Sequence, residues 1–175
     1  MQKLKLPKFI DPVKAATQRS DYQGVVAAKD MMRLAETVYA MDDFASIEVK
    51  FDTDAQGLHY FEGEITISVQ MQCQRCDEPF AMPVAVSFSY TPVKAGQDIE
   101  EIPDIYEPVE VNDHGEIDLL QIIEDEIIVA LPLVAMHDER DCKRKAADMV
   151  FGKIEPAAER PNPFAVLKEL KRDEE

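Results

Sequence analysis

Three successive stretches of this chain alternate apolar and polar side chains, and that pattern restricts its fold more than any other feature. Ile47, Val49 and Phe51 alternate within Ser46 to Asp52. Within Leu58 to Met71, Ile65, Ile67, Val69 and Met71 face one way while Glu64, Thr66, Ser68 and Gln70 face the other. Phe80, Met82, Val84, Val86, Phe88 and Tyr90 form a third series. A period of two sends successive side chains to opposite faces of a strand. Strands with one apolar face suit an antiparallel sheet that packs on a core with one side and meets water with the other. The opening KLKLPKFI also alternates, and Pro7 places it at a strand start or sheet edge.

Helical spacing appears in two places. Met31, Leu34, Ala35 and Val38 predict one amphipathic helix across Ala27 to Ala40. Asp118 stands as an N-cap before LLQIIEDEIIVAL, where Leu119, Ile122, Ile123, Ile127 and Leu131 make the apolar stripe and Pro132 the stop. DPVKAATQRSDY reads as a turn and short connector. Residues 92–116 hold Pro92, Pro103, Pro108 and Gly115 among many acids and read as a flexible acidic surface excursion. The expected fold class is therefore α+β, with a largely antiparallel sheet packed against one or two principal helices. At 175 residues the chain suits a single core. Residues 1–155 are expected to form that domain. Residues 156–175 are expected to form a linker and a short amphipathic helix presenting Phe164, Leu167 and Leu170.

The charge is large and uneven. The formal net charge is −16, yet residues 1–20 carry Lys3, Lys5, Lys8, Lys14 and Arg19 against Asp11 alone. Between Lys94 and Arg140 lie fourteen carboxylates and no lysine or arginine. A surface of this sign repels a phosphate backbone and steers a basic protein inward. Glu100, Glu101 and Glu110 are the candidate contacts for a basic protein, and Lys3, Lys5 and Lys8 for RNA. An ordinary solubilising face accounts for the same acids. The basic start lacks the interleaved aromatics of an RNA-recognition surface.

No apolar run reaches the roughly 20 residues of a membrane helix, and the first residues lack the apolar segment of a secretory signal. A soluble cytoplasmic protein with no membrane partner is expected. Three cysteines make a poor disulfide framework and agree with a reducing compartment.

Cys73 and Cys76 are the sharpest chemical signal. A two-residue spacing lets both sulfurs turn toward one point, as in half of a tetrahedral zinc site, or lets them exchange with a disulfide. A thioredoxin-type pair opens a helix, whereas CQRC runs into DEPFAMPV and another strand pattern, so thiol redox catalysis is the weaker alternative. His137 and Cys142, in HDERDC, are the downstream residues suited to complete a Cys3His zinc site, with Asp138 and Asp141 as substitutes. Three reduced cysteines marking a hairpin that needs no metal remain the competing reading. His59 and His114 have no recognisable nucleophile beside them in sequence. Glu124, Asp125 and Glu126 occupy successive helical positions, point in different directions and read as a solvated helix face. The phosphate-binding, dinucleotide-binding and HExxH motifs are absent, and the chain reads as a non-enzyme.

The ordered segments MQKLKLP, DPVKAATQRSDYQGVV, CQRCDEPF, YEPVEVNDHGEIDLLQIIEDEIIVALP, DMVFGKIE and PNPFAVLKELKR resemble the bacterial YceD family of large ribosomal RNA subunit accumulation proteins from end to end. The resemblance implies a non-catalytic ribosome-biogenesis accessory protein supporting synthesis, processing or accumulation of 23S ribosomal RNA. Its expected partner is a basic ribosomal protein or assembly factor, with weak or indirect contact to precursor 23S ribosomal RNA. A zinc-stabilised adaptor is the alternative. The family's CxxC element falls on Cys73 and Cys76. More cysteine-rich relatives carry further cysteines near the position of Cys142, where this chain has one, so a four-cysteine site is out of reach and His137 stands in as a conjectural ligand.

Overall fold

A computed structural model of the chain describes residues 6–97, 99, 102–144, 152 and 164. The chain divides into one unit over Met1–Cys142 and a second over Lys143–Glu175. The expected boundary at 155/156 and the expected C-terminal helix lie outside the described residues.

The first unit is built on the three alternating stretches. β4 (Phe44–Thr53), β5 (His59–Gln72) and β6 (Pro79–Val93) form an antiparallel meander in the registers Ile47↔Ile65 and Ile65↔Val86. Ala45, Ile47, Val49 and Phe51 are buried on one face, with Phe61, Ile65, Ile67 and Val69 beside them. Each intervening side chain consequently lies on the opposite face, where register pairs Glu48 with Glu64 and Lys50 with Glu62. Gly63 is required by close approach: a Cβ there would lie 2.5 Å from the Glu48 carbonyl oxygen and 2.6 Å from Phe88 Cζ.

Further strands extend the sheet. β2 (Asp21–Ala27) pairs antiparallel with β4, β3 (Ala40–Met41) pairs with β5, and β7 (Glu107–Glu110) runs parallel to β6. The main order is β2-β4-β5-β6-β7, and β1 (Phe9–Ile10) makes a separate ladder with β8 (Ile117–Asp118). The class is α+β, as expected. Helices α1 (Pro12–Thr17), α2 (Met32–Thr37) and α3 (Leu119–Ala130) place Ala15, Ala16, Leu34, Leu119, Ile123 and Ile127 in the same buried cluster as the apolar strand face. Asp118 caps α3 as expected, accepting from the Gln121 N–H at 3.0 Å.

Two local expectations are corrected, and a third stretch gains detail. The supposed connector DPVKAAT is helix α1: Asp11 caps it by accepting from the Lys14 N–H at 2.9 Å, and Pro12 occupies its first turn, where a missing N–H costs no hydrogen bond. The helix expected from Ala27 to Ala40 is helical only at Met32–Thr37 after a 3-10 turn, Ala28–Asp30. Ala27 is held in the ladder opposite Phe44, although Met31, Leu34 and Val38 are buried as their spacing implies. The acidic excursion 92–116 contains β7, and an Asn112 side chain that accepts from the His114 and Glu116 N–H groups turns the chain back toward β8.

Candidate metal centre

The β5–β6 connection is CQRCDE. Its backbone closes on itself: the Cys73 N–H donates to the Glu78 carbonyl at 2.9 Å and the Asp77 N–H to the Cys73 carbonyl at 2.8 Å. Asp77 takes a left-handed conformation at φ 62°, tolerated by aspartate at a tight turn. This geometry aims the Arg75 and Cys76 amides at the Cys73 sulfur. Burial opposes the Cys73 thiolate, as does a hydrogen bond with Cys76. The backbone N–H groups of Arg75, Cys76 and His137 outweigh both and hold the thiol below its ordinary 9.0.

The second half of the site arrives after α3. Pro132 follows the last turn of that helix, and the chain runs back along the hairpin end. The Gln74 N–H donates to the Ala135 carbonyl at 2.9 Å, and Gln74 Nε2 donates to the Leu133 carbonyl at 3.2 Å. That course delivers His137 and Cys142 to Cys73 and Cys76, and one ligand atom from each of the four residues lies within 4.8 Å of every other. Cys76 Sγ is 3.2 Å from His137 Nε2. The other ring nitrogen, Nδ1, is 3.1 Å from the Asp138 carbonyl, which only a protonated Nδ1 can satisfy. This leaves Nε2 as the lone-pair donor facing the sulfurs, the tautomer that a metal ligand needs. The Phe80 ring stands edge-on to the imidazole at 5.4 Å and limits its rotation.

The donor set fits zinc. Three thiolates and an imidazole make a closed structural set, and Zn–S bonds of about 2.3 Å imply tetrahedral edges of about 3.8 Å between ligand atoms. Three thiolates would leave such a centre with one net negative charge. Arg75 contributes an adjacent cation whose Nη1 is buried with no hydrogen-bond partner among the described residues. Asp138 and Asp141, the substitutes considered from sequence, are not in the cluster.

The remaining candidates are dispersed. Lys8 lies 3.6 Å from Asp118 and over the Phe9 ring, and Glu110 is exposed on β7. Lys3, Lys5, Glu100 and Glu101 lie outside the described residues. His59 is bonded to Thr53 at 2.9 Å. The solvated-face reading of Glu124 is overturned. Its side chain is 8 % exposed, accepts from the buried Leu34 N–H at 3.0 Å and pairs with Arg33 at 3.0 Å, because α3 packs against the start of α2. Glu126 accepts a hydrogen bond from the Tyr90 hydroxyl. A further group of acids gathers beside the outer sheet face. Glu48, Glu62 and Glu64, with Lys50, from β4 and β5, and Asp104, Glu107 and Glu126 from the β6–β7 connection, β7 and α3, line an open groove of about 620 Å³. The strand alternation signals Glu48, Glu62 and Glu64 alone; only the tertiary structure brings the other three acids beside them.

Fold and cluster define a small α+β protein with a metal-capable Cys3His centre at the end of its central hairpin. The family model described as "Large ribosomal RNA subunit accumulation protein YceD" matches residues 61–171. A Haemophilus influenzae protein of the same description is 45% identical over 173 residues, covering 98% of this chain and 99% of that one. The chain belongs to the YceD family. No solved structure matches it significantly. No helix among the described residues is long and apolar enough to cross a membrane.

Proposed function

We propose that this chain is a non-catalytic, cytoplasmic accessory protein of ribosome assembly that supports synthesis, processing or accumulation of 23S ribosomal RNA. The description of its relative supports the ribosomal setting. The proposed mode of action is stoichiometric: the chain holds a basic ribosomal protein or assembly factor while Lys3, Lys5 and Lys8 approach precursor RNA.

The observation that carries the partner reading is the groove beside the outer sheet face, lined by six carboxylates and one lysine. A lysine- and arginine-rich segment matches that field, whereas a phosphate backbone is repelled. The acids Glu100, Glu101 and Glu110 extend the same sign of charge along the sequence. Zinc at Cys73, Cys76, His137 and Cys142 serves this role structurally, fixing the hairpin end without acting on a substrate.

The test is binding of the purified chain to basic large-subunit ribosomal proteins across a salt series. The triple reversal Glu48→Lys, Glu62→Lys, Glu64→Lys should weaken association at least about tenfold and flatten its salt dependence. The triple reversal at Glu100, Glu101 and Glu110 should act in the same direction. Unchanged affinity in both sets rejects the acidic-surface mechanism. Metal analysis of protein purified under reducing conditions checks the zinc reading, with Cys76→Ser expected to lower the bound metal; stoichiometric metal unaffected by that substitution rules this ligand set out.

A further inference from the structure

The four ligands differ in access and in tether. Cys73 and Cys142 are buried, while Cys76 and His137 are half-buried. Cys73 and Cys76 belong to one tight turn. His137 and Cys142 sit on the segment after α3, which forms no helix or strand through Cys142. Leu133, at 98% exposure, and Val134, at 54%, face outward there, while Ala135 and Cys142 are buried. Two of its hydrogen bonds to the turn, from the Gln74 N–H to the Ala135 carbonyl and from Gln74 Nε2 to the Leu133 carbonyl, depend on a single exposed residue. A metal held by all four residues would tie this segment to the turn through His137 and Cys142.

We infer that the proposed zinc centre is an oxidant-sensitive clasp, opened by hydrogen peroxide through a Cys73–Cys76 disulfide that ejects the metal and frees the segment after α3. The inference rests on the zinc reading. Cys76, the accessible sulfur, attacks the peroxide: an S–O bond forms, the O–O bond breaks, and the departing hydroxide takes a proton from solvent to become water. The Cys73 thiolate then displaces hydroxide from the Cys76 sulfenic sulfur. An S–S bond forms, the S–O bond breaks, and a second solvent proton completes a second water. Two electrons pass from the two sulfurs to the peroxide, and zinc, left with one thiolate and one imidazole, departs as the divalent ion. The two-residue tether keeps Cys73 beside Cys76 once the metal loosens, whereas Cys142 moves off with its segment. A bridge to Cys142 would instead keep the clasp shut.

The experiment uses the full chain purified under reductant. A chain that carries no zinc and takes up none on titration removes the metal centre and the clasp together. A zinc-loaded chain that keeps its metal in excess hydrogen peroxide removes the clasp alone. The expected result is release of one zinc per chain to a chromogenic chelator, loss of two of the three thiols, and a Cys73–Cys76 bridge in the peptide map. Tryptic cleavage at Arg140 should rise about tenfold as local restraint is lost, and a dithiol with added zinc should reverse it. A bridge to Cys142, or zinc release with unchanged cleavage at Arg140, overturns the proposal.

Discussion

Glu124 offers the sharpest check of the packing between α2 and α3. One carboxylate oxygen accepts from the buried Leu34 N–H at 3.0 Å, and the other lies 3.1 Å from Arg33 Nε and 3.0 Å from Nη2. Glu124→Ala leaves a buried amide without a partner, which costs about 1–3 kcal/mol. Arg33 is 50% exposed and also pairs with Asp125, so solvent and the second acid limit what the loss of its ion pair adds. Glu124→Ala should therefore cost about 1–3 kcal/mol. Glu124→Gln keeps an acceptor for Leu34 and loses only the charge, so it should cost about 1 kcal/mol. Arg33→Ala leaves the Leu34 amide its acceptor and should cost less than Glu124→Ala. Urea unfolding of the three variants and the parent, with matched slopes, measures each difference. A Glu124→Ala cost below about 0.5 kcal/mol, the level of an ordinary surface substitution, would refute the reasoning. So would a glutamine variant as unstable as the alanine variant.

Gly63→Ala should destabilise the sheet by about 1–3 kcal/mol, because its Cβ meets a backbone oxygen as well as the Phe88 ring. Phe88→Leu in the same chain should recover only the ring's share, and full recovery in urea melts would disprove the backbone clash. Burial raises the Tyr90 phenol above its ordinary 10.0, with the Glu126 hydrogen bond and nearby acids adding to the shift, and burial likewise raises Tyr60 and Tyr106. In the folded chain these phenols hold protons that the unfolded chain releases near pH 10. Their stabilising contribution is therefore complete below pH 10 and lost as pH rises from there toward the folded values. Ultraviolet titration should show phenols ionising late and abruptly with unfolding, and smooth titration of all tyrosines near 10 would contradict this.

Sequence and structure divide along a physical line. The strands β4, β5 and β6 and the helix α3 were legible because each pattern is local: alternation sets a face, and Asp118 sets a start. α1 carried an equally local signature in Asp11 and Pro12 that went unused, whereas β2 mixes Gly24 with polar residues and shows no clean period. β7 is a four-residue strand recruited by parallel pairing to β6, and nothing within it specifies that neighbour.

The metal centre follows the same division. The spacing of Cys73 and Cys76 alone places two sulfurs on one turn, but their meeting with His137, 61 residues beyond Cys76, depends on the chain between them. α3 must pack on the apolar sheet face, stop at Pro132 and lead the following segment back along the hairpin. Glu124 shows the converse case, an acid whose surroundings in sequence suggest solvent but whose neighbour across the core is an amide needing an acceptor. Residue order determines periodicity, caps, turn chemistry and net charge because these arise within a few bonds. Which distant donors and acceptors converge is decided only when the apolar faces pack, since that burial fixes every long-range distance at once.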